Sequence, residues 1–119
     1  MIIESAGVKK RITPEDVKNE ILSIHYFTAK EGAQASKLNE QIKNDDEADL
    51  AQWVPDSLEQ LTFCVLILRN GTKIVGVNHG AIDPAQHNAI KGREEAYKDA
   101  ENKIWELLGF RLRDKLTDI

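Results

Sequence analysis

The chain is poor in the residues that build covalent or metal-held scaffolds. It has one cysteine, Cys64, which excludes an intrachain disulfide and any Cys-x-x-Cys motif. It contains no glycine-rich phosphate loop and no His-Glu-x-x-His pair. No apolar run approaches the roughly 20 residues that a membrane span requires. Met1 to Lys10 has basic residues after a short apolar start but lacks the apolar core of a signal peptide, so the expected location is the cytoplasm. A basic surplus is missing too. The 16 Lys and Arg are outnumbered by 20 Asp and Glu, for a net charge of −4, which weighs against nonspecific nucleic-acid binding. There are no internal repeats, and the only compositional bias is a short acidic run.

What is present suits an ordinary small folded domain. The 119 residues are 41% hydrophobic and 30% charged, far from a disordered composition. A chain of this length buries roughly two-thirds of its unfolded surface without a staple. The expected organisation is a single α+β domain over residues 1–119, with an N-terminal arm at 1–12 and an acidic variable insertion at 40–55.

Thr13-Pro14-Glu15-Asp16 combines a capping hydroxyl, proline at the first helical position and acids in the first turn. Val17, Ile21 and Ile24 follow at helical spacing, which predicts a helix from Pro14 to about Ile24. His25 to Ala29 either ends that helix or leads into a second short one capped by Thr28. From Lys30 to Val54 the pattern is weak. Within that stretch Asn44 to Asp49 is a solvated acidic run without the glycine and terminal glutamate of a calcium loop. Trp53 and Pro55 close it.

Leu61 to Arg69 is a continuous apolar, β-branched run. Asn70-Gly71 separates it from Thr72 to Val77, which predicts an antiparallel hairpin with a type I′ turn. The first strand is apolar on both faces, so it should be central, or covered by helices on one side and a partner on the other. Cys64 lies inside it and reads as a small buried hydrophobe. Asp83-Pro84 starts a long helix predicted to run to about Leu108, with Gly109 as its stop and Phe110 to Leu116 as a basic tail. Ala85, Ala89, Gly92, Ala96 and Ala100 form a stripe of small residues that permits close backbone approach, with a kink expected at Gly92. A sheet or a second subunit could supply that backbone.

No catalytic constellation stands out, and the expectation is a binder rather than an enzyme. His25, His79 and His87 are scattered, and three partly exposed polar contacts explain them better than a zinc site. No metal and no cofactor is expected. The candidate ligand-binding residues are Arg69 at the hairpin turn, Asn78 and His79 at the end of the second strand, and His87 and Asn88 at the start of the long helix. Arg93, Tyr97 and Lys103 lie further along that helix, and Arg111 and Arg113 follow it. A helix start offers free N–H groups and a positive dipole end, and guanidinium groups bind phosphate oxygens in a fork. The competing explanation for each arginine is solvation or an ion pair with an acid such as Glu94, Glu106 or Asp114.

Three strings resemble a family of tailed-phage proteins named for gene forty-nine and gene sixty-six products: His25-Tyr26-Phe27-Thr28-Ala29, Leu61 through Gly71, and Asn102-Lys103-Ile104-Trp105. Gly92-Arg93, Ala96, Ala100, Leu108-Gly109-Phe110 and Leu112-Arg113 fit in order and spacing, so the resemblance covers about Thr13 to Leu116. His87 departs from it, standing where the family usually has an aromatic residue, and the acidic stretch around Asp45 departs as well. The layout of a hairpin-based sheet, a long helix and a basic end also resembles the first-described type of Thoeris anti-defence protein. That resemblance implies a phage sponge in the host cytoplasm, sequestering a cyclic nucleotide immune signal without degrading it. The signal would be a cyclic ADP-ribose isomer, or for relatives a cyclic oligonucleotide. It implies a homo-oligomer, no membrane and no nucleic-acid partner, and an aromatic stacked on adenine near the turn before the long helix, for which His87 or Tyr97 would have to serve. The alternative is a phage protein that inhibits a host protein by direct contact through the acidic run. An enzyme acting on a nucleotide is the third.

Overall fold

The computed structural model describes residues 11–44 and 54–117. The acidic run at 45–49, Trp53 and the first ten residues lie outside them.

Helix α1 spans Pro14–Glu20. Thr13 and Asp16 form a reciprocal capping box: the Thr13 hydroxyl accepts the Asp16 N–H at 3.2 Å, and the Asp16 carboxylate accepts the Thr13 N–H at 2.9 Å. The helix ends at Glu20, four residues before the predicted Ile24, and Ile21–Thr28 is strand β1. Ile21-Leu22-Ser23-Ile24-His25-Tyr26-Phe27-Thr28 is rich in β-branched and aromatic residues, and pairing with β2 overrides the short helical periodicity. Of that periodic trio only Val17 is fully buried, whereas Ile24 is exposed.

Thr28 does cap a helix, and a long one: α2 spans Ala29–Asn44. The Thr28 hydroxyl accepts the Glu31 N–H at 3.1 Å, and Glu31 returns a carboxylate to the Thr28 N–H at 3.0 Å. Residues 40–44 form the end of this helix. Lys30 reaches Asp56 at 2.8 Å, tying the start of α2 to a short 3-10 turn at Asp56–Gln60.

Strands β2 (Thr62–Leu68) and β3 (Lys73–Asn78) complete one antiparallel sheet of order β1-β2-β3, so β2 is central, and the fold is α+β. The hairpin turn differs from type I′. The Gly71 N–H bonds to the Leu68 carbonyl at 2.9 Å and the Leu68 N–H to the Thr72 carbonyl at 2.8 Å. The loop is thus Arg69-Asn70-Gly71, with Gly71 at φ 88°, the three-residue arrangement that ends in a left-handed glycine.

Helix α3 spans Ala89–Leu116 and lies across β2 and β3. Asp83 caps only a 3-10 turn at Pro84–Gln86; the helix proper is capped by Asn88. Ala85 and Ala89 are exposed, while Gly92, Ala96 and Ala100 are buried on the chain's own sheet. A side chain at Gly76 would collide with the Ala96 carbonyl and the Ala100 amide, which shows how closely helix and strand approach. Ile104, Leu108 and half-buried Leu112 extend the stripe at i+4 steps, so α3 runs through Gly109 for two further turns. A helical glycine costs only about 1 kcal/mol, and burial of this stripe exceeds that. The predicted tail is the end of the helix. Val17, Cys64, Leu66, Leu68 and Ile74 complete the core with these residues.

Candidate functional site

Where β3 ends and α3 begins, the chain leaves a cleft of about 360 Å³ lined by Asn78, Gly80, Ala81, Gln86, His87, Asn88, Lys91, Gly92 and Glu95. The two caps hold its shape. The Asn78 side-chain oxygen accepts the Gly80 N–H at 3.0 Å, turning the strand back. The Asn88 side-chain oxygen accepts the N–H groups of Ile90 and Lys91 at 3.0 and 3.1 Å, fixing the start of a 28-residue helix. Two helix-start N–H groups are therefore satisfied internally, which leaves the positive dipole end and the side-chain donors to face the cleft. Those donors are the Asn78 and Asn88 amides, Gln86, the His87 ring and Lys91. Lys91 makes no ion pair among the described residues. Glu95 supplies the one carboxylate of the lining, and Lys98 lies 3.4 Å from it.

Of the residues singled out from sequence, Asn78, His87 and Asn88 meet here; His79 follows Asn78 but is exposed and outside the lining. Lys91 and Glu95 were missed. They stand three and seven residues after Asn88, the spacing of one helical face, so the signal was present once Asn88 was known to be the cap.

The other candidates go elsewhere. At the hairpin end, Arg69 and Arg111 both grip Glu20, at 3.0 and 2.8 Å. The Arg69 N–H also bonds to the Glu20 carbonyl at 2.9 Å. Glu20 is buried at 7% exposure, and the hydrogen bond from Arg111, helped by Arg69 and opposed by burial, holds its carboxyl below the usual range. These guanidinium groups serve a carboxylate of the protein itself, distant in sequence from the acids named as rivals. Arg113, two positions on, is exposed and makes no ion pair among the described residues, as the turn of a continued helix requires.

Midway along α3, the Arg93 guanidinium sits 5.9 Å from the Tyr26 ring centroid. Tyr97 and Tyr26 line a shallower depression of about 350 Å³ with Lys18, Glu94, Lys98 and Glu101. Burial, reinforced by a hydrogen bond to Glu101, pushes the Tyr97 phenol up to about 12. Burial also raises the thiol of Cys64, which is fully enclosed and stays protonated, the wrong state for a nucleophile. Lys103 donates to the Val75 carbonyl and pairs with Asp99 at 3.6 Å, at the edge of β3.

No group of three His, Cys, Asp or Glu residues among the described ones could hold a metal ion, and none of their helices is long and apolar enough to cross a membrane. The strand-to-helix cleft is an open polar concavity built on the start of a long helix.

Residues 12–116 match the phage protein (N4 Gp49/phage Sf6 gene 66) family. The chain belongs to that family. No curated protein and no solved structure matches it. The match covers the whole described core from half-buried Ile12 to the last residue of α3.

Proposed function

We propose that this phage protein binds a small anionic ligand in the strand-to-helix cleft and sequesters it without cleaving it, the ligand being a cyclic nucleotide immune signal such as a cyclic ADP-ribose isomer or a cyclic oligonucleotide. The observation that carries this reading is the cleft itself. Its volume of about 360 Å³ lies within the few hundred Å³ usual for small-molecule sites. Its lining brings an imidazole, three carboxamides and a lysine without an ion pair among the described residues to the positive end of a long helix.

Each part has a use toward a nucleotide. Lys91 and the helix dipole favour phosphate oxygens. The His87 ring is able to stack on a base or donate to an oxygen. Glu95 accepts from a ribose hydroxyl or a base amine. Sequestration needs tight, selective binding and no proton transfer, and this lining sets carboxamides, an imidazole and a lysine around a single carboxylate.

Incubation of the purified protein with a panel of cyclic nucleotides, followed by heat denaturation and chromatography, tests the reading. The expected result is a raised melting temperature with one or more of them and recovery of the same molecule intact. Release of a cleaved product overturns sequestration, and absence of any thermal shift or ligand retention overturns binding.

A further inference from the structure

The strand-to-helix cleft has a polarity along α3. Asn88, Lys91 and Glu95 line it at i, i+3 and i+7, which is one face of the helix. The cap and the positive dipole end lie at Asn88, the cation follows about one turn in, and the carboxylate about one turn further. From Asn88 to Glu95 the helix rises roughly 10 Å, at about 1.5 Å per residue. That is comparable to the reach of a nucleotide from its phosphate to the pairing edge of its base. A phosphate held at the helix start, and repelled by Glu95, therefore directs the base toward Glu95.

Three other lining residues carry almost no side chain. A Cβ at Gly92 would meet the Thr62 hydroxyl at 3.0 Å, so the helix lies close to the start of β2 there. Gly80 has φ 87°, and a Cβ on it would collide with Gln60. With Ala81 these glycines present backbone and a single methyl group to the cleft, a surface that a flat ring can approach closely. Glu95 itself is loosely held. Its partner Lys98 stands 3.4 Å away, and both side chains are exposed. Such a pair is worth little in water, so the carboxylate is available to a ligand.

We infer that Glu95 makes the cleft selective for guanine, so that the ligand is a cyclic oligonucleotide containing guanine and not a cyclic ADP-ribose isomer, whose base is adenine. This inference rests on the sequestration reading of the same cleft. Guanine places two donors side by side on its pairing edge, the N1–H and the N2 amine, and a carboxylate accepts both as a bidentate pair. Adenine sets one donor, its N6 amine, beside the N1 lone pair, which would face the second carboxylate oxygen, acceptor against acceptor. Cytosine has the same donor-acceptor arrangement as adenine, and the single N–H of uracil lies between two carbonyl oxygens. A site built to hydrogen-bond one edge rejects an analogue that leaves its polar groups unpaired.

Calorimetric titration of the full chain with cyclic di-GMP, cyclic di-AMP, cyclic di-IMP and cyclic ADP-ribose tests this. Cyclic di-GMP should bind roughly ten-fold or more tightly than cyclic di-AMP, the equivalent of one charge-assisted hydrogen bond. Cyclic di-IMP, which keeps the N1–H and lacks the N2 amine, should also bind more weakly than cyclic di-GMP, and this comparison needs wild type alone. Glu95→Gln offers one acceptor and one donor, which suits adenine, and should reverse the order in favour of cyclic di-AMP. An unchanged melting temperature shows that the variant has folded. Wild type that binds cyclic di-AMP, cyclic di-IMP or cyclic ADP-ribose as tightly as cyclic di-GMP overturns the guanine inference and leaves sequestration standing. So does a folded Glu95→Gln that keeps the guanine preference. Failure of all four ligands to bind overturns the sequestration reading and the inference with it.

Discussion

Helix α3 meets a polar cluster near each end of the sheet, and the two clusters have opposite fates. At the hairpin end, two arginines close on Glu20, and the site is filled by the protein's own carboxylate. At the strand-to-helix end, the amide oxygens of Asn78 and Asn88 are spent on backbone caps, and a lysine, an imidazole and the amide nitrogens are left facing an open cleft. The difference lies in what stands opposite. An acid that emerges from α1 beside the hairpin can reach both guanidinium groups; at the other end the only lining acid, Glu95, is set toward Lys98. Cationic residues mark a ligand site only where the fold does not supply their anion.

The contact that holds both ends in place gives the largest expected effect. Gly76→Ala pushes a methyl group into the backbone of α3 at Ala96 and Ala100. It should destabilise the fold by about 3 kcal/mol or more, at the upper end of overpacking costs. Urea denaturation measures this. A near-neutral result would mean that helix and strand approach less closely than described.

Glu20→Gln breaks the closed end. With both arginines more than half exposed, the loss should be about 1.5–2 kcal/mol, the lower part of the range for hydrogen bonds to charged groups. It should also change the acid response. The carboxyl of Glu20 is lowered from an ordinary value of 4.5, so its stabilising contribution is present above that value and is lost as pH falls through the lower, folded-state value. Wild type should therefore lose stability more steeply than Glu20→Gln on the acid side. Parallel acid limbs in urea titrations would show that the cluster adds nothing.

Arg111→Ala and Lys91→Ala sharpen the contrast directly. Arg111→Ala should lower stability by about 1 kcal/mol and leave ligand affinity unchanged. Lys91→Ala should keep stability within about 0.5 kcal/mol and weaken affinity about ten-fold, the equivalent of one charge-assisted hydrogen bond. If the two exchange effects, the open site lies at the hairpin end. His87→Ala belongs with Lys91→Ala, with a melting temperature within about 4 °C of wild type.

The smallest stability change is expected for Asn88→Asp. Aspartate caps a helix about as well as asparagine, so stability should stay within about 0.5 kcal/mol. A carboxylate in the lining should nonetheless repel an anionic ligand. Unchanged affinity would place Asn88 in the helix cap alone.

Much of the fold was legible in the chain. The Thr13 cap, the central Leu61 to Leu68 strand, the hairpin and the long helix all follow from local spacing and cap chemistry. Helix α2 was legible as well: Thr28-Ala29-Lys30-Glu31 has the spacing of a capping box, although its weak apolar pattern obscured it. The first strand was hidden because Val17, Ile21 and Ile24 mimic a helical face over a few residues, and only pairing with β2 decides between the two. Gly109 read as a stop because a glycine after an apolar stripe usually is one. Leu112 and the Arg111–Glu20 bond carry the helix past it.

The sequence by itself determined the α+β class, the family, the identity of the central strand and the neighbourhood of the cleft, because these rest on periodicity, caps and turn residues within a few positions of one another. Only the tertiary structure decided which cations are spent. Glu20 is 49 residues from Arg69 and 91 from Arg111, and no local pattern announces such a partner. The edge of β3 was likewise closed by residues more than twenty positions away. Hydrogen bonds and ion pairs depend on distance in space, and the packing of α3 across the sheet sets those distances.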